Sequence, residues 1–478
     1  MNYRLVQKLQ QSIFSILFLS ILLLVSACDQ DDDPSPDVLN EDNAHVNEWI
    51  YKNMEFWYLW SNELPANPDK NSNPDEFFQS LLSDDDRFSW IQENYQDLLN
   101  SLQGISKEAG FEFVLYKEDD SNNILAQILY VKPASPADNA GLKRGDAITH
   151  FNGQQLNTTN YQDVLKGLGN STFSITYKPL DIAQETFGEA KTMSLSTVVY
   201  TENPNFLSKV IEVNDKKIGY YVYNFFSPGT GTTEIYDNEM NDIFAGFKAK
   251  GVTDLVLDFR FNSGGSEVSA NNLASLIVPN ANDKIFFKRE YNSKVEDEIL
   301  KDPNAGPSLL QNKLKDKAEN IGSQLPGRVY VLTGSRTASA SELIINGLKP
   351  YMDVFLIGDV TYGKNVGSIS LFDEEDPKNT WGMQPIVVKV SNALNQSDYS
   401  QGFTPNIENK DNNLFIYPLG DTREELLSKA IEQITGVPTT GRKAQVEKKE
   451  IIGHSLDNKR RSFNLTVEGP IPARVITQ

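Results

Sequence analysis

The stretch Arg328-Val-Tyr-Val-Leu-Thr-Gly-Ser-Arg-Thr-Ala-Ser-Ala-Ser-Glu342 decides the fold of the second half of this chain. Its first six residues form a short apolar run, which predicts a buried strand, and a helical pattern follows over residues 339–348. A second such strand, residues 252–259, leads into Gly264-Gly265 and a helix over residues 268–277. Alternating strands and helices indicate an α/β domain, whose turns meet at the carboxyl edge of the sheet, where ligands bind.

Ser339 stands at that edge, and the chain offers few groups that could activate it. The sequence contains only three histidines, His45, His150 and His454, and a single cysteine. None of these histidines lies in a context typical of a Ser-His-Asp relay, and no ligands are clustered as a zinc site requires. The sequence therefore predicts hydrolysis without a histidine base, a metal or another cofactor.

A lysine is the base that remains. A serine hydroxyl is a weak nucleophile until a nearby base takes its proton, and an amine does so only when burial lowers its pKa. Lys364 follows Gly363 in a turn just beyond a predicted strand, where its amine can be shielded. Lys349 lies on the same helix as Ser339, about 15 Å away at the helical rise, which is too distant. We therefore predict a dyad of Ser339 and Lys364.

Attack on a peptide carbonyl also needs N–H donors directed at the developing oxyanion. We expect the N–H of Ala340, at the start of the helix, and an N–H of Gly264 or Gly265 to supply them. One alternative for Ser339 is structural, because residues 339–342 have the form of a capping box, in which the serine caps the helix. Ser341, close by, is an alternative nucleophile.

Two regions precede this domain. Residues 43–104 carry apolar residues spaced by three and four, which predicts a small helical domain. From residue 105 to 200 the pattern changes to strands, and Pro136-Ala-Asp-Asn-Ala-Gly-Leu-Lys-Arg-Gly-Asp146 followed by Asn-Gly153 resembles the PDZ domain. In PDZ domains a glycine-containing loop captures a terminal carboxylate while the peptide adds as a strand. The resemblance implies that peptide-binding role for Gly110, Phe111 and Phe113, with Glu112 departing from the usual loop.

Three motifs together resemble those of the tail-specific, or C-terminal processing, serine peptidases: Asp258-Phe-Arg-Phe-Asn-Ser-Gly-Gly265, Thr337-Ala-Ser-Ala-Ser-Glu342 and Thr361-Tyr-Gly-Lys364. The resemblance covers residues 45 to about 435. It implies a multidomain α+β protein whose peptidase core, residues 205–435, is an α/β fold of the crotonase or Clp-protease type. It also implies Ser339 as nucleophile, Lys364 as general base, and Ala340 with Gly264 or Gly265 as oxyanion donors. Many members have an orienting glutamine four residues after the lysine, where this chain has Ser368 as the candidate orienter.

The first 28 residues resemble a bacterial lipoprotein signal. Arg4 and Lys8 precede an apolar run over residues 13–25, which is short for a bilayer span and is followed closely by Cys28. The resemblance implies that Cys28 is lipidated. Residues 29–42 are acidic and broken by prolines, which predicts a flexible tether, and an acidic run in this place resembles the export signal of surface lipoproteins in the Bacteroidetes. We therefore expect attachment to the outer membrane, on its periplasmic or its outer face.

The formal net charge of -21 argues against binding to nucleic acid, which needs basic surface. A nucleotide-binding loop ending at Lys364 is disfavoured, because Asn365 stands where that loop needs serine or threonine. We predict an endopeptidase that cleaves extended or unfolded polypeptides engaged through their carboxyl-terminal tails. The alternative is a non-catalytic surface lipoprotein that binds partner tails through its PDZ domain. We expect a polar insertion, residues 280–324, to be either a cover for the site or a variable loop, and residues 436–478 form an extension without an assigned role.

Overall fold

The computed structural model describes residues 41–119, 121–303, 306–438, 448–459 and 462–467. The predicted signal segment and Cys28 lie outside the described residues. Within the described part of the chain, no helix is both long and apolar enough to cross a membrane.

The amino-terminal region is mainly helical, as predicted. Its elements are α1 (Glu41–Trp57), a 3-10 helix (Ser61–Glu63), α2 (Pro74–Ser80), β1 (Trp90–Gln92) and α3 (Tyr95–Leu102). The apolar side chains of α1 that recur every three or four residues are buried in the same core as the α/β domain: Val46, Ile50, Met54 and Trp57. The region therefore shares a core with that domain.

The next region is rich in strands and has its own apolar core. Its elements are β2 (Ile105–Glu108), β3 (Phe111–Lys117), β4 (Ile124–Val131), α4 (Pro136–Asn139), β5 (Ala147–Phe151), β6 (Gln154–Gln155), α5 (Tyr161–Lys166), a 3-10 helix (Gly167–Gly169), β7 (Thr172–Lys178), β8 (Leu180–Asp181), β9 (Thr186–Phe187), β10 (Lys191–Ser196) and β11 (Val198–Thr201). Its main sheet has the antiparallel order β10-β7-β5-β4-β3. Phe113, Ile128, Ile148 and Ile175 are buried in the core that this sheet covers.

The third region alternates strands and helices. Its elements are β12 (Asn205–Val213), β13 (Lys216–Tyr223), α6 (Ile235–Lys250), β14 (Asp254–Asp258), β15 (Gly265–Ser266), α7 (Glu267–Ile277), β16 (Ile285–Tyr291), α8 (Ser293–Leu300), α9 (Gly306–Leu309), β17 (Gln311–Lys313), β18 (Arg328–Thr333), α10 (Ala340–Leu348), β19 (Asp353–Gly358), β20 (Val366–Ser368), β21 (Leu371–Phe372), β22 (Gly382–Gln384), β23 (Ile386–Ser391), β24 (Ile407–Glu408) and α11 (Glu425–Thr435).

A six-stranded sheet in the order β12-β13-β14-β18-β19-β24 forms the centre of this region. The strands from β13 to β24 are parallel, and β12 is antiparallel to β13. Asp258 and Leu332 lie side by side at the carboxyl ends of β14 and β18. The turns that follow these two strands therefore meet at one edge of the sheet, as the sequence predicts.

The described residues of the insertion over 280–324 form strands and helices that pack in the core, so the insertion is not a loose cover of the site. β16 pairs with β23, and Val295 and Ile299 of α8 are buried in the main core. The side-chain amide of Asn292 donates to the carbonyl oxygens of Phe56 and Tyr58, at 2.9 and 2.8 Å. The insertion thus attaches the amino-terminal helices to the α/β domain.

The carboxyl-terminal extension contributes β25 (Ile451–His454), a 3-10 helix (Ser455–Asn458) and β26 (Leu465–Thr466). β25 pairs antiparallel with β3 and continues the sheet of the strand-rich region. β26 pairs parallel with β15 and joins β20, within a second six-stranded sheet in the order β15-β26-β20-β23-β16-β17. The extension therefore pairs with both the strand-rich region and the α/β domain, the two regions predicted to bind substrate.

Candidate active site

Ser339 is held in an unusual backbone conformation at the start of α10. Its φ of 60° and ψ of -114° lie in a region that serine rarely occupies, and its side chain is fully buried. Among the described residues, none forms a hydrogen bond with its Oγ. Glu342 accepts the N–H of Ser339 at 2.8 Å, as in a capping box, while the Ser339 side chain makes no hydrogen bond within the described chain that caps the helix. The hydroxyl does not cap the helix, so it is available for chemistry.

Glu342 joins the two predicted catalytic residues. One carboxylate oxygen accepts the backbone N–H groups of Ser339 and Lys364, both at 2.8 Å. The other oxygen accepts the hydroxyl of Thr361 at 2.6 Å and the N–H of Gly363 at 2.7 Å. Burial raises the pKa of the Glu342 carboxyl, against the effect of these donors. A single buried side chain thus fixes the nucleophile motif against the lysine motif.

The amine of Lys364 is buried beside this junction. Its Nζ donates to the carbonyl oxygen of Phe463, at 2.6 Å, and lies 4.8 Å from the ring centre of Phe88. Burial lowers the pKa of Lys364 to about 7, against the opposing effect of the Asp86 and Glu342 carboxylates. An amine with this pKa is partly neutral near pH 7, which a general base requires.

The glycine turn lies directly against Ser339. A β-carbon on Gly264 would stand 2.6 Å from the Cβ of Ser339 and 3.0 Å from its Oγ, so no larger residue fits. Gly265 has a φ of 134° and donates its N–H to the carbonyl oxygen of Asn464 at 2.6 Å. Ala340 is the first residue of α10, a position whose N–H has no partner within the helix. The N–H of Gly264 donates to Oδ1 of Asn262 at 2.9 Å, so the N–H groups of Gly265 and Ala340 are the candidate oxyanion donors.

The competing candidates have other partners. The hydroxyl of Ser341 donates to the carbonyl oxygen of Asn262 at 3.1 Å. The Nζ of Lys349 lies over the ring of Phe403, 3.8 Å from its centre. His45 pairs with Asp376 at 2.5 Å. Within the described residues, no group of His, Cys, Asp or Glu side chains is arranged to hold a metal ion.

Ser368, the residue expected to orient Lys364, makes its hydrogen bonds to other groups. Its hydroxyl lies 2.7 Å from Oε1 of Gln384 and 2.8 Å from Oδ1 of Asn464. Gln384, on β22, is fully buried and was not identified from the sequence. Because Gln384 and Asn464 surround the hydroxyl of Ser368, the prediction of a direct hydrogen bond to Lys364 is not met.

The predicted peptide site of the strand-rich region is occupied by the extension. Gly110 has a φ of 90°, and a β-carbon there would stand 2.1 Å from Cβ of Ser135. Phe111 and Phe113 are buried in the core, and the N–H of Phe113 donates to the hydroxyl of Ser455 at 2.9 Å. β25 lies along β3 and runs toward the Gly110 loop. β25 therefore runs along β3 in the direction in which a PDZ domain binds a peptide.

Glu112 takes part in a buried ion cluster. The amine of Lys132 lies 2.6 Å from Glu108, 2.9 Å from Glu112 and 2.9 Å from Glu202. Burial acts to raise the pKa of Glu112, but the ammonium groups of Lys132 and Lys459 outweigh burial and hold that pKa below its usual range. The residue that departs from the usual loop therefore carries a charge that fixes the loop in place.

Phe463, Arg336 and Asp457 also lie at the site, and the sequence analysis assigned them no role. Phe463 stacks on Tyr362, with ring centres 4.1 Å apart, and the guanidinium of Arg336 lies 4.8 Å from its centre. Arg336 also pairs with Asp457 of the extension. Residues 461–467 have a strand-like pattern in the sequence, which does not show where such a strand would pair.

Comparisons with known proteins identify the family. A model of peptidase family S41 matches residues 217–408, a model of the S41 N-terminal domain matches residues 45–90, and a PDZ model matches residues 127–179. The chain is 30% identical to an assigned S41 protease from Bacteroides fragilis, whose crystal structure it matches with a TM-score of 0.66 over 81% of this chain and 97% of that one.

Two curated relatives support the same family assignment. The chain is 25% identical over 376 residues to the carboxyl-terminal-processing protease of Picosynechococcus sp., covering 76% of this chain and 79% of that relative. It is 22% identical over 424 residues to carboxyl-terminal-processing peptidase 2 of Arabidopsis thaliana chloroplasts, covering 84% of this chain and 75% of the relative. The fold predicted from the sequence is thereby confirmed, and the chain belongs to peptidase family S41, as a serine peptidase of the C-terminal processing type with a PDZ domain.

Proposed function

We propose that this protein cleaves extended or unfolded polypeptides through a dyad of Ser339 and Lys364, and that it engages them by their carboxyl-terminal tails. One observation carries the proposal. Glu342 links the backbones of a serine whose buried hydroxyl has no partner among the described residues and a lysine whose burial lowers its pKa to about 7. A serine hydroxyl and a lysine amine held in this way suit nucleophilic attack better than a purely structural role.

The chemistry follows from the protonation state of the amine. Neutral Lys364 takes the proton of the Ser339 hydroxyl while Oγ attacks the peptide carbonyl carbon. The N–H groups of Gly265 and Ala340 stabilise the negative oxygen that develops. The protonated amine then donates to the leaving nitrogen, and water hydrolyses the acyl-enzyme with Lys364 acting as base again.

Two sheet edges support the engagement of an extended chain. β3 of the PDZ domain accepts an added strand, and β15 with β20 accepts another beside the nucleophile. A cleft of about 1240 Å³ continues from the Gly264–Gly265 turn toward the amino-terminal helices and is lined in part by Trp49, Phe56 and Phe225. An unfolded polypeptide can occupy these edges, whereas a folded domain cannot present a free strand to both.

The test is cleavage of reduced, carboxymethylated α-lactalbumin by the full-length chain in detergent. The substrate is offered with a free carboxyl end and, in a second arm, with a semisynthetic carboxamide end. We expect cleavage of the first, slower cleavage of the second, and none by Ser339→Ala. Ser80→Ala is the matched control, because Ser80 is exposed and its hydroxyl donates to a neighbouring carbonyl oxygen, that of Phe77. A parent chain that binds the substrate and never cuts it would instead support a non-catalytic binding protein.

We also propose that the protein is a lipoprotein of the outer membrane, attached through Cys28. The proposal rests on the sequence alone, namely the short apolar run that is followed closely by Cys28. Intact-mass measurement should show a chain that begins at Cys28 and carries acyl groups, and Cys28→Ser should remove both features. An unacylated chain that retains Met1 would contradict this assignment.

A further inference from the structure

We propose that the enzyme cleaves its own carboxyl-terminal extension between Asn464 and Leu465. This inference rests on the proposed function, and it names a substrate that the structure already holds in the site. The extension lies in the site as an added strand, since β26 pairs parallel with β15 and contacts β20.

The carbonyl group of Asn464 occupies the oxyanion position. Its oxygen accepts the N–H of Gly265 at 2.6 Å. A β-carbon built on Gly264 would lie 2.4 Å from this oxygen and 3.0 Å from Oγ of Ser339. The carbonyl oxygen and the nucleophile therefore approach the same point. Because Oγ has no hydrogen-bond partner among the described residues, it is free to attack the Asn464 carbonyl carbon.

The residue before the scissile bond positions the base. A neutral lysine amine has two hydrogens and one lone pair. When Lys364 donates one hydrogen to the carbonyl oxygen of Phe463, at 2.6 Å, its lone pair is left for the hydroxyl of Ser339. The extension thus supplies the acceptor that holds the amine, a role that Ser368 does not fill.

Side chains on both sides of the bond hold the chain in this register. The ring of Phe463 lies against Tyr362 and Arg336, with centre distances of 4.1 and 4.8 Å. Leu465 is fully buried in the main core. The side chain of Asn464 lies 2.8 Å from the hydroxyl of Ser368. A shift by one residue would expose Leu465 and would remove the Asn464 carbonyl from Gly265.

The PDZ domain holds the same chain upstream. β25 is added to β3, and the hydroxyl of Ser455 donates to Glu112 at 2.6 Å while accepting the N–H of Phe113. The amine of Lys459 lies 3.2 Å from Glu112. A strand added at the PDZ edge, followed by a strand in the catalytic groove, is the arrangement proposed above for substrates.

The reaction balances with one water molecule. Oγ of Ser339 bonds to the carbonyl carbon of Asn464, and its proton passes to Lys364. The bond from that carbon to the nitrogen of Leu465 breaks, and the proton moves to this nitrogen. Water then releases the acyl group, which leaves Asn464 with a new carboxylate and frees a peptide that begins at Leu465.

Intact-mass spectrometry of the purified full-length chain tests the inference. We expect a body that ends at Asn464 and a peptide of residues 465–478, formed at a first-order rate that does not depend on protein concentration. Ser339→Ala should stay uncut. Phe463→Ala should slow the cleavage roughly tenfold, because the ring contacts hold the register. Leu394→Ala, an exposed residue, should leave the rate unchanged.

The other outcomes separate this inference from the proposed function. An enzyme that cuts carboxymethylated α-lactalbumin while its own extension stays whole overturns the inference and leaves the function intact. A chain that ends at residue 447 provides a further comparison. If it cuts α-lactalbumin faster than a parent whose extension stays whole, the extension is an inhibitor, which also overturns the inference and leaves the function intact. Cleavage at a bond other than the one between Asn464 and Leu465 overturns the proposed register of the extension in the site. If neither the extension nor α-lactalbumin is cut, the proposed function fails as well.

Discussion

The PDZ edge and the catalytic edge both receive a strand of the same extension, yet they are built differently. At the PDZ edge, pairing of β25 with β3 is supported by a buried ion cluster of Lys132 with Glu108, Glu112 and Glu202. At the catalytic edge, the backbone of Ser339 adopts a rare conformation, and its Oγ has no partner among the described residues. One edge pairs its buried charges and holds a strand, whereas the other places a serine hydroxyl without a hydrogen-bond partner in the described chain beside the added strand.

The difference shows how binding and chemistry are divided in this molecule. Satisfied buried charges rigidify a binding edge. A strained residue with a free hydroxyl persists only where its surroundings hold it in place, and here Glu342 does so through its hydrogen bonds. Changes at the catalytic edge should therefore abolish turnover, and changes at the PDZ edge should shift affinity.

The largest effect is expected for Lys364→Ala. Without the amine, no group accepts the proton of the Ser339 hydroxyl, and kcat should fall by roughly 10³-fold or more. Lys349→Ala is the matched control, since Lys349 lies over Phe403 instead of in the site. Steady-state cleavage of carboxymethylated α-lactalbumin measures both. Equal loss in the two variants would show that the effect comes from folding.

Glu342→Ala should have the next largest effect. The change removes the acceptor of four hydrogen bonds that join the two motifs. We expect a loss of roughly 10²-fold in kcat and about 3 kcal/mol in the free energy of unfolding. Glu342→Gln keeps the shape of the side chain but loses the acceptor at one oxygen. Its kcat and its free energy of unfolding should lie between those of the parent and those of Glu342→Ala. Full activity in the alanine variant would refute the role of Glu342 as the junction.

The pH dependence should follow the amine of Lys364. Burial lowers the pKa of Lys364 to about 7, and only the neutral amine acts as a base. Values of kcat/KM should therefore rise with pH, reach half of their maximum near pH 7, and fall about tenfold for each unit below it. Circular dichroism at each pH serves as the control for folding. A flat profile from pH 5 to 9 in the folded enzyme would exclude this base.

The smallest effect is expected at the PDZ edge. Ser455→Ala removes the hydrogen bonds to Glu112 and to the N–H of Phe113, which together contribute about 1 kcal/mol to holding the extension. A peptide with a free carboxyl end should then displace β25 more easily and bind roughly fivefold more tightly. Fluorescence anisotropy of a labelled peptide on the Ser339→Ala background measures this. Ser80→Ala is the control, and unchanged affinity would mean that peptides do not use the β3 edge.

Much of this account could be predicted from the sequence because the relevant patterns are local. The strand before Ser339, the glycine turn and the Lys364 turn each lie within a few residues. The alternating strands and helices then place these turns at one sheet edge. The capping-box pattern was also correct in part, because Glu342 does accept the N–H of Ser339, although it serves the lysine motif as well.

What could not be predicted depends on contacts between distant residues. β26 has only two residues, and its partner β15 is about two hundred positions earlier, so no periodicity marks the pairing. Ser368 was assigned to the lysine because it stands four residues after it, and no local pattern showed that Gln384 reaches Ser368 from another strand. The insertion over residues 280–324 reads as polar, yet a few buried side chains such as Val295 fix it in the core.

The most direct test of the central claim is the site of modification by a fluorophosphonate probe. The probe reacts only with an activated serine, and peptide mapping locates the adduct. The account predicts an adduct on Ser339, strongly reduced labelling in Lys364→Ala, and unchanged labelling in Lys349→Ala. An adduct on Ser341, or a chain that cuts polypeptides while Ser339 stays unmodified, would contradict the account.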